Sequence, residues 1–299
     1  MTSGPNLSAG AEDGSHSIQR PNGKFLIILG GASAVTNIYD PLANTMTAGS
    51  NLTAAASAGS HSIQRPDGTF IVILANNTSN TSIYDSLNNV FTAGPALSAN
   101  VNAGSHSIQR PDGKFLIVHG GAVNTTSLYD PIANTMTAGS NLTAAASAGS
   151  HSIQRPDGKF LIILGSGSAV TNIYDPLANT MTAGPSLTAS INGHSHSIQR
   201  PDGKFLIVIG ADPGVTNIYD PISNTITAGP SLTADGRNGP HSMQRPDGKF
   251  LIVRGANTLA THIYDPISNT ITAGPNLTAG SSARNGSHPI HLPNGTYLI

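Results

Sequence analysis

The 299-residue chain contains no cysteine and no tryptophan. Without cysteine it has no disulfide, no thiolate metal site and no thiol nucleophile. Charge is scarce too: Asp, Glu, Lys and Arg make up 10 % of residues, against about 25 % in an ordinary soluble domain. Formal net charge is −1, so no positive field accumulates to hold nucleic acid, and no nucleic-acid partner is expected. Weak mutual repulsion leaves self-assembly open. No apolar run approaches the roughly 18 residues of a membrane helix, so no membrane span is expected. The opening MTSGPNLSAG has neither the basic start nor the apolar stretch of a signal peptide. The expected location is nevertheless extracellular or at the cell surface, with any export signal lying outside this chain. Ser, Thr, Asn, Ala and Gly fill the space that charge leaves, giving a surface rich in hydroxyls and amides.

What is present is a repeat. His16, His61, His106, His151, His196 and His241 lie 45 residues apart, each opening the phrase HS(I/M)QRP(D/N)G, and His288 follows after 47. Residues 46–68 recur letter for letter as 136–158. Within the first repeat, HSIQR leads into Arg20-Pro21-Asn22-Gly23, where Pro second and Gly fourth suit a type I turn. Phe25-Leu26-Ile27-Ile28-Leu29 is a continuous apolar run, predicted as a strand buried on both faces. Thr36-Asn37-Ile38-Tyr39 predicts a third strand and Thr45-Met46-Thr47-Ala48 a fourth, with Asp40-Pro41-Leu42-Ala43-Asn44 as the loop between them. Four such strands make one propeller blade, which cannot bury its faces without neighbours.

These residues resemble the kelch repeat, and more closely its bacterial and galactose-oxidase-like variants. The shared features are a His-opened inner strand, a PDGK turn, an apolar strand ending in Gly-Gly, and YDP before the last strand. The resemblance covers essentially the whole chain and implies an all-β, kelch-like β-propeller as a single domain. The family's usual Trp in the last strand is replaced by Met46, Phe91, Met136, Met181, Ile226 and Ile271, read as smaller packing residues between blades. Full repeats start at 16, 61, 106, 151, 196 and 241. Residues 288–299 and 1–8 are expected to share a seventh, closure blade. The eighteen positions 28–45 of the first repeat have no counterpart there, so that blade is incomplete. Either the chain is a fragment, the preferred reading, or an open edge awaits a partner strand. A six-bladed ring is the alternative.

The seven repeat histidines open the innermost strands. Metal binding is the sharp reading, since imidazole is a common ligand; a structural role is preferred. The galactose oxidase resemblance places a copper-binding His at such a position, but with tyrosines and a Tyr–Cys crosslink. This chain has no Cys and keeps Tyr almost wholly in the YD phrase, so radical oxidase chemistry is not supported. Arg20 and its repeats precede the first turn, and Asp40 and its repeats precede the third loop, on the same face; Arg–Asp pairs locking blade to blade are expected. Six equivalent copies imply a scaffold, and Leu292 replaces the Arg in the last blade.

Recognition is expected where repeats disagree, because loops on a rigid face are the usual seat of binding. The candidates are Glu12, Asp13, His194, Asp212, Asp235, Arg237, Arg254, His262, Arg284 and Asn285, which fall mostly on blades five, six, seven and one. His119 likewise departs from the first repeat. The alternative for Glu12, Asp13, Arg237 and Arg284 is a set of solvent-exposed pairs worth little each. No nucleophile–base pair or metal set stands at credible spacing. The expectation is therefore a non-catalytic module that needs no cofactor and binds a glycan or a protein through the variable face. A structural tile in a larger assembly comes second, and an oxidase- or lyase-like enzyme third.

Overall fold

A computed structural model describes residues 5–165, 167–191, 193–210, 214–233, 241–253 and 259–277, with the backbone of Ile290–His291 and Tyr297–Leu298. The described residues contain strands and no helix. In the first blade, β1 (His16–Gln19), β2 (Phe25–Ile28), β3 (Thr36–Asp40) and β4 (Thr45–Ala48) form an antiparallel meander in chain order. The same four-stranded sheet recurs over 61–93, 106–138, 151–183, 196–228 and 241–273. The fold is a six-bladed β-propeller.

That count corrects the seven-bladed expectation in favour of its alternative. Near the C-terminus the described backbone forms only a two-stranded ladder, Ile290–His291 with Tyr297–Leu298. Asn6–Ser8 is not strand-paired but docks on blade one: Asn37 Oδ1 accepts from the Ser8 amide at 2.8 Å, and Leu7 and Ala11 pack against Ile27, Leu29 and Tyr39. The segment thus copies the link of a preceding blade without completing a sheet among the described residues.

The chain divides into two compact units, one holding blades one to three and the other blades four to six. Within each, period-two alternation explains the stacking. Leu26 and Ile28 face one way, with Ile18 and Ile38, onto Val72, Leu74 and Tyr84 of the next blade. Ile27 and Leu29 face the other way. In the second unit Ile153, Leu161, Ile163 and Ile173 of blade four meet Ile207, Ile209 and Tyr219 of blade five in the same manner. The second strand is therefore buried on both faces, which is why it reads as an unbroken apolar run. Where a Trp was expected, Phe91 stacks on Tyr84 at 4.6 Å between ring centroids, and Met46 packs beside Tyr39.

The blade-to-blade lock differs from the expected Arg–Asp pair. Asp220 Oδ1 accepts from the amides of Ile222 and Ser223, and Oδ2 pairs with Lys204 of its own blade at 3.2 Å. These amides first, and Lys204 next, hold its carboxyl below the usual range; Asp40 is held the same way by Ala43 and Lys24. Apart from Arg20, whose turn carries Asn22, the arginines pair instead with the Asp of their own turn, as Arg155 does with Asp157 at 3.2 Å. They reach the next blade through neutral acceptors. Arg155 Nη1 donates to Asn224 Oδ1 at 3.2 Å and Arg200 Nη1 to Asn269 Oδ1 at 2.7 Å. In the first unit Arg20 donates to the Ser86 carbonyl and Arg65 to that of Pro131. Asn224 Oδ1 also accepts from the Tyr219 hydroxyl at 3.0 Å, and burial pushes that phenol up to about 12, which keeps it a donor. The carboxylate is already saturated by its own loop, so an amide oxygen is left to receive the guanidinium.

Arg200, covered by the following blade, is 11 % exposed, and Arg245 is 38 % exposed. Arg155→Ala is expected to cost about 1–2 kcal/mol, since it leaves a half-buried acceptor short of a donor. Arg245→Ala is expected to cost less than about 0.5 kcal/mol, as an exposed pair does. Urea unfolding of the two variants checks the difference; equal costs would mean the latch carries no stability.

Candidate functional site

Each repeat histidine takes its orientation from the residue two before it. In the first four blades that residue is Gly14, Gly59, Gly104 or Gly149, at φ between 85° and 89°. This left-handed conformation is open to glycine and strained for other residues. It turns the glycine carbonyl onto the Nδ1 of His16, His61, His106 and His151, at 3.0, 2.9, 3.1 and 3.1 Å. A carbonyl only accepts, so Nδ1 carries the proton and Nε2 keeps its lone pair. Burial pushes the His61 imidazole down, and His151 down to about 4. The His61 and His151 rings are neutral at pH 7.

Blade five breaks the rule. The glycine position holds His194, which does not adopt positive φ. The link backbone shifts with it. A Cβ at Gly30, Gly120 or Gly165 would meet the carbonyl of Asp13, Ala103 or Ala148, whereas at the equivalent Gly210 it would meet that of His194, one residue further along. The carbonyl that should receive His196 is thereby removed, and neither ring nitrogen of His196 has a hydrogen-bond partner although both are shielded from solvent. Burial, then the neighbouring His151 and His241, push His196 down to about 3. Ser195 changes partners as well. Its counterpart Ser60 donates to Ile73 within the same blade, while Ser195 Oγ donates to Gly149 O at 2.6 Å and lies 3.1 Å from His151 Nδ1 of blade four. Nδ1 of His194 and Nε2 of His151 are likewise buried without a partner. Unpartnered ring nitrogens of His194 and His196 thus flank Ser195 along the chain, and the His151 ring lies against its hydroxyl, where blades four and five meet.

The other candidates divide. Glu12 is exposed, and its backbone bonds to Leu29; Asp13 is half-buried, with its carbonyl taken by the Gly31 amide. His262 is not a surface ligand, a correction to the sequence expectation: it is buried, and its Nε2 accepts from the Thr233 amide at 3.2 Å. It stands where Asn37, Ser82, Ser127, Asn172 and Asn217 tie their blade to the preceding link, each 29 residues from its partner. His119 is a core residue, bonded to Thr125 and Ser127 and lowered by burial to about 4. Asp212, Asp235, Arg237, Arg254, Arg284, Asn285, His288 and Leu292 lie outside the described residues. The grouping of Ser195 and His196 with His151 escaped the sequence reading. Its signal was present, as Gly-His-Ser in a link where the first four repeats read Gly-Ser.

Among the described residues no three of His, Cys, Asp and Glu come together to hold a metal ion. No family model matches the chain, and no curated protein does. Among solved structures the chain is similar to a novel fungal alcohol oxidase with catalytic diversity among the AA5 family, in complex with copper. The two are 17 % identical, with a TM-score of 0.72, over 97 % of this chain and 70 % of the oxidase. Likeness at this identity is a likeness of fold: the chain shares a β-propeller with that oxidase, and its chemistry has to be read from its own residues.

Proposed function

We propose that this chain is a non-catalytic binding module, built of kelch-type repeats, that takes a glycan on the face formed by the links and the loops between second and third strands. One observation carries the reading: where His194 breaks the link pattern, shielded ring nitrogens of His194 and His196 stand without a hydrogen-bond partner, next to His151 of the preceding blade. A neutral imidazole offers one donor and one acceptor, the same pair a sugar hydroxyl presents. An unpaired buried polar group is costly, so a hydroxyl seated there recovers hydrogen bonds that the free protein lacks. The seven charges outside the repeat pattern, Glu12, Asp13, Asp212, Asp235, Arg237, Arg254 and Arg284, all fall in these same links and loops along the chain. That mixture also suits a polyhydroxylated ligand, and an extracellular or surface location accords with it.

Glycan-array binding followed by titration calorimetry tests the reading. The wild-type chain is expected to bind at least one glycan class, and His194→Gly, which returns the carbonyl to His196, is expected to weaken it tenfold or more. No glycan binding, or binding untouched by both His194→Gly and Arg237→Ala, would overturn it.

A further inference from the structure

The opposite end of each blade shows a feature that glycan binding does not use. Between the third and fourth strands every blade holds up one aliphatic side chain: Leu42, Leu87, Ile132, Leu177, Ile222 and Ile267, between 76 and 93 % exposed. The position is always Leu or Ile and never polar, although the next residue is Ala, Asn or Ser. Nothing in the loop requires an apolar group there, since Asp caps the loop amides and Asn closes it. In each compact unit three such tips stand on successive blades, which the arginines tie together at this end.

We propose that the three aliphatic tips of each compact unit form a self-association surface, and that its occupant is the same surface of a second copy of this chain. Charge decides against the rivals. This end of the blades carries six arginines and five lysines against eleven aspartates, and most are held in ion pairs within their own blade. A neutral face has no net attraction for an anionic membrane or nucleic acid. A second copy brings the same balanced mixture, so the two faces meet without net repulsion. The lysines, 40 to 42 % exposed where they pair with aspartate, can also lie against aspartates of the other copy. At roughly 100 Å² of apolar surface per tip, the three tips of one unit offer roughly 300 Å², an apolar centre that the paired lysines and aspartates would surround within the roughly 800 Å² per partner of a standard interface. A contact between like faces closes as a two-fold dimer.

Sedimentation velocity on the whole chain, from low to high micromolar concentration, tests this. The wild-type protein is expected to self-associate and to keep doing so in high salt. Replacing all six tips by Ser is expected to weaken association at least tenfold with the thermal midpoint unchanged. If that variant does not fold, the triple variant Leu42→Ser, Leu87→Ser, Ile132→Ser is expected to show a smaller weakening in the same direction. A monomer at every concentration, assembly that survives the serines, or a wild-type monomer that binds phospholipid vesicles through the tips would overturn the proposal. Glycan binding has no part in the readout, so the two readings fail independently.

Discussion

Between about pH 7 and pH 4.5 the free energy of unfolding is expected to fall by several kcal/mol, chiefly through the buried His119, His151 and His196. An imidazole titrates near 6.5 in the unfolded chain, whereas the folded protein holds His151 at about 4 and His196 at about 3. As pH falls below 6.5 the unfolded chain binds protons first. Stability present above that pH is therefore lost progressively until the folded values are reached. At ~1.4 kcal/mol per pH unit, two units of acidification cost on the order of 2 to 3 kcal/mol for each histidine. His61 and His119 act with the same sign, both lowered by burial. The carboxylates do not confuse this window, because Asp40, Asp175 and Asp220 start from 3.8 and are lowered further. Urea unfolding at intervals across the range measures the slope. His196→Asn, which cannot take up a proton, is expected to flatten it. A wild-type profile that is level down to pH 4.5 would show that these rings reach solvent in the folded state.

Gly149→Ala is expected to cost roughly 3 kcal/mol or more, as backbone strain and a collision together. The residue sits at φ 85°, and a Cβ there would lie 1.9 Å from the carbonyl oxygen of Gly193 and 2.7 Å from Ile191. Neither can retreat without moving the link that packs Ile191 into the core. Gly158 is the control. Its φ is 80°, yet nothing lies within 4 Å of the added carbon. Gly158→Ala is therefore expected to cost about 1 kcal/mol, from strain alone. Thermal or urea unfolding separates the two, and similar costs would show that the links yield easily. In that case His194 would owe nothing to crowding, and the special status of blade five would lose its physical basis.

Fold was legible because each blade writes its own pattern. Period two, the Arg-Pro-Asp-Gly turn and the Asp-Pro-x-x-Asn loop are local, and six copies of them specify six sheets. The closure blade was misjudged for a related reason: Asn6 and Leu7 belong to a stretch with the letters of a fourth strand and its link, but among the described residues they pair with no strand and the segment docks on blade one. The latch partner was misjudged because Asp and Asn are four residues apart in one loop. Only the folded loop shows the carboxylate already occupied by Ile222, Ser223 and Lys204 while Asn224 faces the incoming arginine.

The candidate site divides along the same line. That His194 replaces a glycine was visible in the letters, and so was the exceptional polarity of the later links. That this single change strips His196 of its partner and turns Ser195 toward His151 was not, for those contacts join residues 44 to 46 positions apart across two blades. His262 makes the converse case, being unusual in sequence yet a buried joint in the fold. Local backbone chemistry, repeated at short range, thus settles strands and turns from sequence. Which polar group finds a partner and which is left with an unused nitrogen depends on distances between blades, and those exist only once the sheets have stacked.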